Sequence, residues 1–144
     1  MRKSMLKESV AVLIRSPSQP EKVLLVRRPD TDPELPGLWG LPAASLQPGE
    51  GDLDALERLA HSKLGITLHS IRLCCEGEQQ RPQYRLRMRL YEALPNGEPV
   101  LPSPSSLAGI TLYEAWRWGE LSELRASASA GSLCSFLALQ WHAA

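Results

Sequence analysis

What this sequence most plainly lacks is an excess of charge of either sign: Lys and Arg together number 16, and so do Asp and Glu. An even balance gives no long-range field to draw the chain onto nucleic acid or an anionic membrane. Long apolar runs are missing too, none approaching the roughly 18 residues a membrane helix needs. Cysteine is scarce, three in all, two of them adjacent as Cys74 and Cys75. Neighbours in a strand point to opposite faces, so these do not form a disulfide framework, and a reducing cytoplasm is the expected compartment. The basic opening MRKSMLKES is followed by too short an apolar run for a signal peptide. There is no Cys-x-x-Cys, no Ser-His-Asp order and no Walker-type phosphate loop, and His69 and His142 lack partners at metal-ligand spacing. What remains is 144 residues, 43% hydrophobic and without internal repeats, which predicts a single domain, 1–144, with a real core.

Residues 37–66, GLWGLPAASLQPGEGDLDALERLAHSKLGI, organise that domain. Trp39, Leu41 and Ala43 alternate with Gly40, Pro42 and Ala44, the period of a strand. Pro48-Gly49 marks a turn, Asp52 is placed to cap a helix, and Glu50 sits near its positive end. Leu53, Leu56, Ala60 and Leu64 fall on one helical face, and Gly65 supplies the stop. Upstream, residues 9–15 present Val10, Val12 and Ile14 on one face and Ala11 and Leu13 on the other. Apolar residues on both faces predict a central, covered strand. Residues 22–28 predict a second strand, expected to pair with the first.

Downstream, residues 68–78 and 83–94 read as two further strands, and 110–119 as another, with Ile110, Leu112, Glu114, Trp116 and Trp118 on one side. Residues 95–106 form a proline-rich loop, placed to run over a cleft. A helical turn follows at 120–124, a small-residue loop at 125–132, and a closing helix to 143 with a stripe of Leu133, Phe136, Leu137, Gln140 and Trp141 and with Cys134 buried. This order predicts an α/β fold, a sheet between helices.

The organising stretch resembles the Nudix box, G-x5-E-x7-R-E-U-x-E-E-x-G-U with U a bulky aliphatic residue. Glu50, Arg58 and Gly65-Ile66 fit that spacing without a gap. Ala44 stands for the glycine before Glu50, and Leu59, Ser62 and Lys63 stand where the helix glutamates belong. The resemblance implies an α/β/α sandwich with a mixed sheet, and in the family dimers are common, so a homodimer is a further expectation. In the family the carboxylates bind Mg2+ or Mn2+, which neutralises a diphosphate and activates water. Here Glu50 and Asp52 are the metal-ligand candidates and Glu50 the catalytic one, too few acids for a tight site. Arg58 and Gly65 take the structural positions of the box, and Arg58 is a partner for Glu50.

Several side chains have two readings. Trp39 stacks on a base or anchors the core; Trp116 and Trp118 share a face, so one walls a cleft while the other packs. Arg28, next to Arg27, contacts phosphate or lies in solvent. Arg85, Arg87 and Arg89 project from one strand face, opposite Leu86, Met88 and Leu90. They pair with Glu76 and Glu78 on the neighbouring strand, or they line a phosphate groove. Arg28, Trp39, Arg85, Arg87 and Trp116 are thus the substrate-binding candidates. Three functions follow. One is a hydrolase of nucleoside-diphosphate-linked compounds with a rearranged site, Glu50 joined by Asp52, Glu114 or Glu120 and a divalent ion. The others are a nucleotide-binding sensor needing no cofactor and a protein-interaction module.

Overall fold

The computed structural model describes residues 5–32, 34–102 and 112–143. At its centre lies β1 (Met5–Ile14), whose residues Val10 to Ile14 have no exposed surface. A strand apolar on both faces leaves water only where a layer covers each side. Along one edge β1 pairs in parallel with β6 (Tyr84–Asn96), in register from Met5↔Tyr84 to Ile14↔Ala93. Along the other it pairs antiparallel with the short β4 (Ala43–Ser45). The long β5 (Thr67–Gln80) lies antiparallel on β6, giving the order β4-β1-β6-β5. A second, antiparallel sheet holds β3 (Trp39–Gly40), β2 (Val23–Arg27) and β7 (Ala115–Gly119).

Helices cover both faces. On one, α1 (Asp52–Leu59) sends Leu56 and Leu59 against Val10, Val12 and Ile14. On the other, α2 (Arg125–Ser129) and α3 (Leu133–Ala143) follow a short 3-10 turn, Leu121–Leu124, and Leu133 and Leu137 pack with Ala11, Leu13, Leu86 and Leu90. The result is an α/β/α arrangement around mixed β structure. Gly77 lets α3 close on β5, because a Cβ there would lie 2.7 Å from the Leu137 side chain. Among the described residues no helix is long and apolar enough to cross a membrane.

Six details depart from the expectations above. β2 does not join β1 in a ladder; a single bridge, Arg15↔Val23, links the neighbourhoods, since both edges of β1 are already taken by β4 and β6. The predicted strand over 39–44 is two strands in two sheets, separated at Leu41-Pro42, with the Val12 amide donating to Pro42 O at 3.1 Å across the break. Asp52 is the first helical residue rather than the cap; Gly51 holds that position without a side-chain bond. Leu53 is 60% exposed, and Ala55 and Leu59 fill the buried face instead. Residues 125–129 are helical, and Phe136 points outward while Cys134 and Ala138 point in. Residues 110–111 of the predicted last strand and 103–106 of the predicted loop lie outside the described residues.

Candidate functional site

The site begins where α1 changes pitch. Over Ala60–Leu64 the helix widens into a π-turn, and Gly65 closes it in the left-handed region at φ 64°. A Cβ on Gly65 would approach Val100 O to 2.8 Å, so the close passage of the segment after β6 needs glycine. The widened turn breaks the spacing that would put 59, 62 and 63 on one face. Leu59 is 1% exposed and belongs to the core, whereas Ser62 and Lys63 are half-buried at its margin.

Lys63 leads into a cleft of about 260 Å³ on the face of the four-stranded sheet that α3 covers. The floor is Ser9 with Leu86 and Met88, one wall is the start of α3 at Ser132–Cys134, and the edge is β4. Four basic side chains line it, Lys7, Arg28, Lys63 and Arg81, against two acids, Asp32 and Glu34. Asp32, buried, is fixed by the amides of Leu35 (2.7 Å) and Glu34 (3.2 Å) and takes Arg28 Nη1 at 3.4 Å. Glu34 takes Arg81 Nη1 at 3.0 Å. Lys7 lies 4.8 Å over the Tyr84 ring and Lys63 lies 5.1 Å over the Tyr113 ring. Among the described residues Lys63 has no carboxylate within ion-pair distance. Burial pushes its ammonium down to about 8, the charges of Arg28 and Arg58 add to that, and Asp32 opposes it.

Beside the cleft, Glu50 is fully engaged. Arg58 donates to it through Nε and Nη2, both at 2.9 Å, and the Gln47 amide donates at 2.9 Å. The Arg58 bond holds the Glu50 carboxyl down at about 2, helped by the Gln47 amide. Arg58 Nη2 also donates to Ser45 O at 2.8 Å, tying box helix to cleft edge. Asp52 points elsewhere. It accepts from Arg89 at 2.5 and 2.8 Å and from the Tyr91 hydroxyl at 2.6 Å, and Arg89 reaches on to Glu8 at 3.1 Å. Arg89, then Tyr91, keep the Asp52 carboxyl below its usual range against the opposing effect of burial.

The chain matches the NUDIX domain model over residues 5–136. It belongs to the Nudix family. Among solved structures, a MutT protein from Methanosarcina mazei Go1 is 17% identical with a TM-score of 0.70, covering 88% of this chain and 85% of that one. The E. coli ORF135 protein is 22% identical with a TM-score of 0.69, covering 95% and 92%. A NUDIX hydrolase from Nitrosomonas europaea is 16% identical with a TM-score of 0.71, covering 97% and 88%. No curated protein matches.

Nudix hydrolases generally use divalent metal ions, so the donor set of this member bears on its chemistry. Of the three helix positions, one is a buried leucine, one a hydroxyl and one an ammonium. Glu50 is committed to Arg58, and Asp52 to Arg89 and Tyr91. Glu114 pairs with Arg27, and Glu120 is held by a reciprocal cap with Glu123. Among the described residues no three His, Cys, Asp or Glu side chains converge. This set does not fit a divalent cation.

Of the substrate-binding candidates in this Nudix chain, only Arg28 lines the cleft. Arg85 and Arg87 leave β6 on the opposite face from Leu86 and Met88 and pair with Glu78, at 3.6 and 2.9 Å. Trp39 carries the Arg117 guanidinium 4.6 Å over its ring, and Trp116 meets Trp118 edge-on at 6.0 Å against the α1-side core. Neither lines the cleft, because both stand on the second sheet. Sequence reasoning missed Lys7, Asp32, Glu34, Arg81 and Tyr84 and treated Lys63 only as a group that repels metal. Alternation along β6 was a usable signal for Tyr84, which shares the face of Leu86 and Met88. Arg81 sits at the β5–β6 turn, where no periodicity marks it.

Proposed function

We propose that this Nudix domain binds a phosphorylated, nucleotide-like ligand in the Lys63–Arg28 cleft and does not hydrolyse it by the metal route usual in the family. The observation that carries the reading is the pairing of two facts. The acids that would hold a divalent ion are tied to Arg58 and Arg89, while the cleft keeps four basic side chains against two acidic ones. An excess of positive charge in a partly enclosed space favours a phosphate-bearing anion, and arginine suits phosphate oxygens. The compartment we assign is the cytoplasm, in keeping with free thiols at Cys74, Cys75 and Cys134.

The test is a panel of nucleoside mono- and diphosphates and nucleotide-sugars. Thermal unfolding with a chelator present should show a rise in melting temperature with at least one member, and magnesium or manganese should not be required. A second reading, hydrolysis at a rearranged site, is supported by the family and by the likeness to the NUDIX hydrolase from Nitrosomonas europaea. Metal-dependent release of phosphate or a mononucleotide, abolished in Glu50→Gln, would establish that reading and reject ours.

A further inference from the structure

Lys63 poses a problem that the rest of the cleft does not. Arg28 is neutralised by Asp32, Arg81 by Glu34, and Arg58 by Glu50. Lys63 is half-buried among these cations, and among the described residues its Nζ lies over the Tyr113 ring with no carboxylate within ion-pair distance. The groups that face it are Arg28 and Asp32 from the loop after β2, Arg58 from α1, and Tyr113 from the segment before β7. Arg28 is offset by Asp32 and Arg58 by Glu50, so no net negative charge is left among them to balance Lys63. A half-buried ammonium without a counter-ion is unfavourable, and a bound anion would relieve it. Lys63 also stands at the last glutamate position of the box, where relatives with an intact motif place a carboxylate for the cation.

Resting on the ligand reading above, we propose that the Lys63 ammonium replaces the divalent ion as the group that neutralises a bound phosphate. The cleft therefore selects a free, metal-uncomplexed anion of two or more charges, such as a nucleoside diphosphate. A carboxylate there would attract the magnesium complex, whereas an ammonium repels its metal and favours bare oxygens. The excess of basic over acidic side chains in the lining suits a multiply charged anion. Arg28 adds the planar fork that can share those oxygens once its hold on Asp32, at 3.4 Å a long one, is loosened.

The experiment is calorimetric titration with ADP and with inorganic pyrophosphate at pH 7, first with EDTA and then with excess magnesium. The expected result is binding about ten-fold or more tighter in EDTA, and a loss of about ten-fold or more in Lys63→Met under EDTA. Arg28→Met provides a second variant. A requirement for magnesium, or Lys63→Met binding as the unaltered protein does while Arg28→Met fails, overturns the role of Lys63 and leaves the ligand reading standing. No binding of these probes to the unaltered protein in either buffer overturns this inference. If the wider nucleotide panel also produces no thermal shift, the ligand reading falls with it.

Discussion

Replacing Lys63 by methionine should make the protein more stable at neutral pH. The side chain keeps its length and apolar stem and loses only the charge. An ammonium whose value falls from 10.5 to about 8 on folding is penalised in the native state at every pH below about 8. At about 1.4 kcal/mol per pH unit that difference corresponds to roughly 3 kcal/mol. The Nζ opens on the cleft and keeps part of its water, and the Tyr113 ring returns some attraction, so we expect about 1–2 kcal/mol. The sign follows from proton uptake. Between pH 8 and 10.5 the unfolded chain holds a proton on Lys63 that the native one has released, so the unaltered protein gains stability as pH rises through this window. The variant has no such group, and its advantage should be full at pH 7 and fade toward pH 10. Urea unfolding of both proteins from pH 6 to 10 measures this directly. Equal stability at pH 7, or a difference that does not shrink with rising pH, would refute the claim that Lys63 is held at a cost.

Other perturbations should read out as follows. Glu50→Gln should lower the melting temperature at pH 7, and the deficit should disappear as acid takes the pH from about 4.5 toward 2, where the carboxylate itself is lost; a flat deficit would mean the Arg58 bond is not its cause. Asp52→Asn should cost about 2 kcal/mol by leaving Arg89 with Glu8 alone, and an unchanged urea midpoint would count against the clamp. Leu59→Glu should destabilise by about 3 kcal/mol or more, because the carboxylate would enter the core beside Leu56 and Val12. The triple change Leu59→Glu, Ser62→Glu, Lys63→Glu should accordingly fail to create magnesium affinity in calorimetry, and a folded, metal-binding triple variant would show that position 59 can reach the cleft.

Periodicity carried much of the fold. The two-sided apolar run of β1, the alternation of β6 and the stop at Gly65 each correspond to an element of the structure. Strand partnership was a different matter. The pairing of β2 depends on which edges of β1 are free, and β4 and β6 had occupied them from 20 or more residues away, which no local pattern records. The π-turn at Ala60–Leu64 is similarly silent, since the apolar spacing of a regular helix describes the same residues equally well. The cleft was hardest to see. Its cations arrive singly from β1, the loop after β2, the end of the box helix and the β5–β6 turn. The conspicuous arginine row drew attention to the opposite face, where Glu78, Glu8 and Asp52 neutralise it.

The parallel match of Met5 with Tyr84 sets the earliest point at which the central strand can be paired along both edges. During synthesis β1 emerges some eighty residues ahead of β6, the parallel neighbour along one of its edges. Until then that strand has one short companion, β4, and an open backbone edge inviting contacts with other chains. The growing polypeptide should therefore be a client for chaperones until β6 has been made, and a stalled fragment ending before residue 84 should aggregate rather than fold.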